Sequence, residues 1–361
     1  MHIVSTPITI NGHTLKNRLT MAPTVKFGWG GPDGLLSDRH VAHYKKRAAH
    51  GVGLLCVEAT AVRKDGRFTE DHIGLYDDLQ IEKHKLITAA CRENQVVSLI
   101  QLNHTGNVTN PAIGEAIGPS AVPTRAGISR EMTLSEIHSM QEAFINAAVR
   151  AKKAGYDGVQ LHGCHGYLIN QFVCKSTNLR TDAYGGSDEN RARFGAEIIR
   201  GIRQLCGADF LISIRTPGAD PDLESCAAVA EEYLKAGCDY LQVSSGIEAP
   251  DPALLHPGED CHIVCALGIR FHEIFGGRVP VSCVNSLRSP EQVHALLDNH
   301  LVDTVDLGRA LLADPAIAEA VLYGSNYVQC FNCKRCQYGP FSESRCPAKI
   351  RRDRIASKAN S

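Results

Sequence analysis

Two groups of residues in this chain are of types that do chemistry. The first lies in the run HGCHGYLINQF, where His162, His165 and Tyr167 fall within six positions. Imidazoles titrate close to neutrality and a phenol is a proton donor, so such a set can hold and move protons. Taken alone, a His-x-x-His pair also reads as two core histidines or as metal ligands. The second group is Cys330, Cys333, Cys336 and Cys346, a CxxCxxC run followed by nine residues and a fourth cysteine. Closely spaced thiolates select zinc or iron–sulfur over hard cations.

These residues need a frame. Eight short β-like runs alternate with longer helical patterns: Leu19–Ala22, Leu54–Val57, Val97–Leu102, Gly158–Leu161, Phe210–Ile214, Tyr240–Val243, Val279–Cys283 and Thr304–Leu307. Leu134–Ala154 and Glu224–Ala236 carry the 3.6-residue apolar period of helices packed on a sheet. Strand–helix alternation predicts a parallel sheet with crossover helices. The turns KAGYDG (Lys153–Gly158) and KAGCDY (Lys235–Tyr240) both read as glycine C-caps feeding a strand, a near-repeat that suits equivalent units of a (β/α)8 TIM barrel. A doubly wound dinucleotide fold would need a Gly-rich turn from strand to helix. The nearest candidate, GVGLLC at Gly51–Cys56, lacks the third glycine and precedes a strand.

The chain has 361 residues, enough for a barrel of about 250 with insertions and a short appendage. Its 38 Lys and Arg balance 39 Asp and Glu, which argues against nucleic-acid binding and against a polybasic membrane anchor. No run approaches a membrane span, and Met1–Thr9 lacks a basic leader and an apolar core, so a cytoplasmic location is expected. Ten of the 14 cysteines are scattered, mostly in apolar surroundings, where a thiol acts as a small hydrophobe. In a barrel, chemistry sits at the C-terminal ends of the strands. The residues there include Pro23, Thr24, Ala59, Gln101, His162, Arg215, Asn285, Ser286, Gly308 and Arg309. They converge on one rim from distant parts of the chain. The Pro-, Gly- and Ser-rich stretch Gly106–Arg130 follows the third strand and reads either as a long loop over that rim or as a surface excursion.

The segment HGCHGYLINQFVCKSTNLRTDAYGGSDENRARF closely resembles the signature of the Old Yellow Enzyme family of NADH:flavin oxidoreductases. NRLTMAP, AAHGVGLLCVEATAV, IQLNHTG and LGRALLADP fit the same family in the same order, over roughly residues 1 to 320. The resemblance implies FMN, reduced by NADH or NADPH, passing hydride to the C=C bond of an α,β-unsaturated carbonyl compound: an ene-reductase. By the same resemblance Pro23, Thr24 and Ala59 line the flavin edge and Gln101 bonds its pyrimidine part. Arg215 stabilises the anionic reduced ring, and Asn285, Ser286, Gly308 and Arg309 hold the phosphate. His162 and His165 grip the substrate carbonyl, and Tyr167 gives the proton to the α-carbon. Departures accompany this. Asn285 and Ser286 stand where the family has paired glycines, Val25 where relatives have Thr or Cys, and Phe27 where some have a substrate-binding Tyr. Trp29 reads as a wall of the substrate site or as packing. Arg180, Asp182, Tyr184, Asn190 and Arg191 read as scaffold.

The cysteine spacing resembles the [4Fe-4S] motif of two larger relatives, trimethylamine dehydrogenase and 2,4-dienoyl-CoA reductase, although the last spacer is shorter. Three readings follow in order: a [4Fe-4S] cluster fed by an external electron donor, a structural zinc, and metal-free thiols. The expected organisation is an FMN-binding barrel over residues 1–322 and a Cys-rich tail over 323–361. A small-molecule enone substrate and a homo-oligomer are expected. The alternatives are a flavin-dependent amine dehydrogenase or demethylase, and a flavin/iron–sulfur electron-transfer protein.

Overall fold

The computed structural model describes residues 2–359 apart from 126, 258, 335, 337 and 339–344. Eight parallel strands close into a barrel: β1 (Leu19–Met21), β2 (Leu54–Ala61), β3 (Val97–Asn103), β4 (Gly158–His162), β5 (Leu211–Pro217), β6 (Tyr240–Ser244), β7 (Val281–Val284) and β8 (Thr304–Leu307). Each pairs with its sequence neighbour, and β8 closes on β1. All eight expected strands are present. The seventh starts at Val281 rather than Val279. Pro280 has no N–H to give a ladder, and only its carbonyl is engaged, by Leu241 N at 3.1 Å. In β2 the register slips between Val57 and Thr60, a bulge at the mouth of the barrel.

Helices form where caps and apolar stripes agree. The helix Leu134–Lys153 starts in a capping box, with Thr133 Oγ1 accepting from Glu136 N and the Glu136 carboxylate accepting from Thr133 N. It buries Ile137, Met140, Phe144, Ala147, Ala148 and Ala151 along one face. It ends before Gly155 at φ +85°, and Leu223–Lys235 ends before Gly237 at φ +106°, left-handed positions that suit glycine. The two similar turns of the sequence therefore do the same work.

Two features had no element assigned from sequence. Ile8–Ile10 and His13–Leu15 form an antiparallel hairpin around Asn11 and Gly12, both at positive φ. Ile10 and Leu15 pack with Leu54, Cys56, Val97, Leu99, Leu211 and Tyr240, and so plug one end of the barrel. The stretch after β3 is not an open loop. Ile117–Gly118 pairs with Arg130–Glu131, and Pro123–Thr124 pairs with Gly127–Ile128.

The segment after β4 is tied to this scaffold by charged groups with nearly all donors in use. Arg180 Nη1 bonds the Pro119 and Met132 carbonyls, and its Nε and Nη2 grip Asp182. Arg191 Nε bonds Val173 O at 2.7 Å, and Asn190 Nδ2 bonds Gly185 O. Among the described residues no helix is long and apolar enough to cross a membrane.

Several histidines are sealed inside. His84 Nδ1 meets the Tyr156 hydroxyl at 2.8 Å and His72 Nε2 meets Ala59 O at 2.6 Å. Burial pushes His72 down to about 4 and His84 down to about 3. Their folded pKa values lie below the unfolded value of about 6.5, so the unfolded chain takes up protons that the fold excludes. Stability is full above pH 6.5 and falls as the pH drops from there toward 4, by up to about 1.4 kcal/mol per pH unit for each such histidine. Urea unfolding midpoints should therefore stay level from pH 7.5 to about 6.5 and then drop steadily to pH 5. A flat profile over that range would show that these imidazoles are not held neutral.

Candidate active site at the barrel mouth

His162 ends β4, in register with Arg215 of β5. The chain then turns sharply, with His165 at φ +62° and Gly166 at φ +77°. Backbone bonds fix the turn from several sides: Gly163 N to Arg215 O at 2.8 Å, His165 N to Ser245 O at 3.1 Å, and Leu168 N to His104 O at 3.0 Å. Asn170 Oδ1 accepts from Gly166 N. A non-glycine residue in the left-handed region, held there by its surroundings, is a common mark of a functional turn.

This turn brings the histidines together. His162 Nε2 lies 2.9 Å from His165 Nδ1, and His165 Nε2 lies 2.8 Å from Ser244 Oγ. His162 Nδ1 is buried without a partner among the described residues. Burial, then the neighbouring His165 and Arg215, hold His162 well below its ordinary pKa. His165 has an exposed side, yet desolvation in the cleft and Arg215 lower it too. Both rings are neutral near pH 7. The Tyr167 ring packs edge-on at 4.7 Å from His162 and 4.9 Å from Phe68, and burial raises its phenol pKa. Phe27 meets Phe68 at 5.7 Å. Phe68 was not visible from sequence, since it comes from the segment after β2 and belongs to no motif. Trp29 packs against His40 and His43, with Arg39 over its ring.

Beside this group opens a cleft lined by Pro23, Thr24, His165, Arg215, Asn285, Ser286, Gly308 and Arg309, all singled out from sequence, and by Ser244, Arg288 and Asp306, which were not. Ala59 and Gln101 are not among its lining residues. Ala59 gives its carbonyl to His72. Gln101 Nε2 donates to Gln160 Oε1 at 2.6 Å, the first rung of a buried amide ladder. Gln160 Nε2 donates to Gln242 Oε1, and Gln242 Nε2 donates to both oxygens of Asp306, at 2.8 and 3.0 Å. Burial raises the Asp306 carboxyl, and Arg215 opposes that.

The donor set of the cleft suits an anionic cofactor. Arg215 is 6% exposed and its Nε has no partner among the described residues, so a buried cation donor waits for an acceptor. Asn285 and Ser286 both adopt positive φ, +98° and +57°, the conformation that glycine takes freely. The loop thus keeps a glycine-like path without glycine. Arg288 and Arg309 add positive charge at that end.

A closed parallel barrel with this cleft is built to hold an anionic cofactor at its strand ends. The NADH:flavin oxidoreductase / NADH oxidase family matches residues 4–251. An NADPH dehydrogenase from Geobacillus sp. (strain WCH70) is 35% identical over 314 residues, covering 86% of this chain and 90% of that protein. Among solved structures, a 2-naphthoyl-CoA reductase bound to 2-naphthoyl-CoA aligns with TM-score 0.84 at 26% identity, over 93% of this chain. This chain spans 55% of the length of that reductase. Morphinone reductase aligns with TM-score 0.75 at 27% identity over 90% of each chain. An Old Yellow Enzyme homologue from Zymomonas mobilis, at 23% identity and TM-score 0.76, shares the fold. The chain belongs to the NADH:flavin oxidoreductase family, the Old Yellow Enzyme group. It is a flavin-dependent NAD(P)H oxidoreductase that uses FMN.

The Asn285–Ser286 turn gives a direct check. Asn285→Val places a β-branched residue at φ +98° and should cost about 1–3 kcal/mol of stability and weaken FMN retention. Ser286→Gly should leave both close to wild type. Equal behaviour of the two variants in thermal melts and flavin release would contradict this account of the loop.

Proposed function

We propose that the protein is an ene-reductase acting on α,β-unsaturated carbonyl compounds. The observation that carries this reading is the juxtaposition of two neutral imidazoles and a protonated phenol beside the cofactor cleft. FMN, when bound, supplies the two electrons that pass from NAD(P)H to the alkene. Pro23 and Thr24, which line the cleft, would lie along its ring, and Gln101 would bond its pyrimidine part through the amide oxygen that its bond to Gln160 leaves free. Arg215 would face the charge that the ring gains on reduction, a preorganised electrostatic role. Asn285, Ser286, Gly308 and Arg309 would hold the phosphate.

The chain's own groups do the rest. With no carbonyl present, the two histidines spend one N–H on each other. A carbonyl oxygen settling between the rings accepts hydrogen bonds from them instead, which draws electron density from the conjugated double bond. Ser244 Oγ holds the far nitrogen of His165 and so fixes the orientation of its ring. Tyr167 Oη then delivers its proton to the α-carbon. Its raised pKa keeps the phenol protonated until that step. Phe27 and Phe68 offer an apolar wall next to Tyr167.

Tyr167→Phe should cut alkene reduction by about 10²–10⁴-fold, while reduction of the bound flavin by NADPH in stopped flow stays close to wild type. Full alkene turnover in the variant would remove Tyr167 from the mechanism.

The four tail cysteines support a second component of this reading, a [4Fe-4S] cluster served by an external electron donor. Cys330 and Cys346 pack with Leu312, Ala313, Val328, Tyr338 and Ala348. Arg288, which lines the cleft, donates to Cys330 O at 3.4 Å. Tetrahedral zinc needs its sulfurs about 3.8 Å apart, from Zn–S bonds near 2.3 Å. Among the described residues no three tail cysteines bring their sulfurs within 4.8 Å of one another. Anaerobically purified protein should contain about four iron and four acid-labile sulfide per chain. Zinc in place of iron would assign the tail a structural metal.

A further inference from the structure

One buried cluster outside the cleft has no part in the chemistry above. Cys174 follows the short helix Leu168–Val173, Asp220 follows β5, and Glu248 follows β6. The Cys174 sulfur and one carboxylate oxygen each of Asp220 and Glu248 all lie within 4.8 Å of one another. Cys174 and Asp220 are fully buried, and Glu248 reaches the surface at the rim. Asp220 Oδ2 accepts from Asn170 Nδ2 at 2.7 Å and Ile247 N at 2.9 Å. Asp220 Oδ1 is sealed from solvent and has no hydrogen-bond partner among the described residues. Gly246 lets the Asp220 side chain pack close against the backbone, since a Cβ there would collide with its carboxylate. Cys174 Sγ is 3.6 Å from Glu248 Oε1 and 3.1 Å from Ser176 Oγ.

A buried carboxylate oxygen with no donor is unfavourable unless something positive reaches it. We propose that Cys174, Asp220 and Glu248 form a binding site for a thiophilic divalent cation of the zinc class. Thiolate and carboxylate are both zinc ligand types, and Ser176 Oγ, 3.1 Å from the sulfur, or a solvent water would complete four-coordination. The cation would fill the vacant lone pairs of Asp220 Oδ1 and draw Glu248 inward. In its absence burial keeps the thiol protonated, with its pKa pushed up to about 12, and the Cys174 proton leaves to solvent as the metal–sulfur bond forms. The cation would also brace the catalytic turn from behind, because Asn170 joins Asp220 to Gly166 N. The site stands independently of the alkene-reductase reading.

Equilibrium dialysis of the FMN-loaded full chain against Co2+ and against Zn2+, followed by metal analysis, tests this. Wild type should hold one equivalent more than Cys174→Ser and than Glu248→Gln, and the second variant should weaken Co2+ at this site by at least about tenfold. The near-ultraviolet sulfur-to-Co2+ band should shrink by one thiolate's share in Cys174→Ser. Cys164→Ser, in the separate His162/Cys164/His165 set, should keep the full complement. The tail cysteines are the same in every variant and so cancel. If Cys174→Ser fails to fold, Glu248→Gln at the rim decides alone. Equal metal content in wild type and both site variants, whether high or zero, overturns the proposal.

Discussion

A carboxylate buried at the end of the eighth strand sets the polar interior of this barrel. Asp306 is 1% exposed and accepts from both Gln242 and Thr20. Burial penalises its charge, and Arg215 is the cation that offsets the penalty. Each amide of the ladder must therefore point one way. Gln242 gives its N–H groups to Asp306, which leaves its oxygen for Gln160 and Ser213, and Gln160 in turn presents its oxygen to Gln101. The last amide in the chain, at Gln101, keeps an acceptor free and has its donor fixed. Arg215 is the hinge between this floor and the cleft, since one side of its charge answers Asp306 while its Nε remains available.

The same constraint links the floor to the histidines. Arg215 stands in register with His162 and lowers the pKa of both imidazoles. Neutral rings can donate without carrying a charge into the site, which matters where a carbonyl is to be polarised but not fully protonated. The turn that carries His165 has a left-handed non-glycine residue, so its shape depends on the bonds to Ser245 and Arg215 rather than on intrinsic preference.

Much of this frame was legible in the sequence for local reasons. The eight strands are short apolar runs between capped helices, and Thr133, Gly155 and Gly237 mark element ends by chemistry that acts over a few residues. The barrel plug was legible but unread, since Asn11–Gly12 between alternating apolar residues is a hairpin signal. Eight cleft residues were found through motifs at strand ends. Asp306, Arg288 and Phe68 were not, because each acquires its role only when distant strands close: Asp306 needs Gln242 and Arg215, and Phe68 needs Tyr167. Gln101 shows the reverse. It was expected beside the cofactor, but it does not line the cleft and its donor is committed to Gln160, a pairing that register alone creates.

The proposed alkene reduction requires His162 and His165 to open and hold one oxygen beside bound FMN. Absorbance titration of the FMN-loaded protein with a para-substituted phenol addresses this most directly, because a phenolate oxygen between the rings stacks its aromatic ring on the oxidised flavin. A saturable long-wavelength charge-transfer band is predicted. Its affinity should fall by at least about tenfold in His162→Ala and in His165→Ala, the worth of one hydrogen bond to a charged oxygen. A band of equal affinity in both variants, or no band in wild type, would contradict the paired-histidine site.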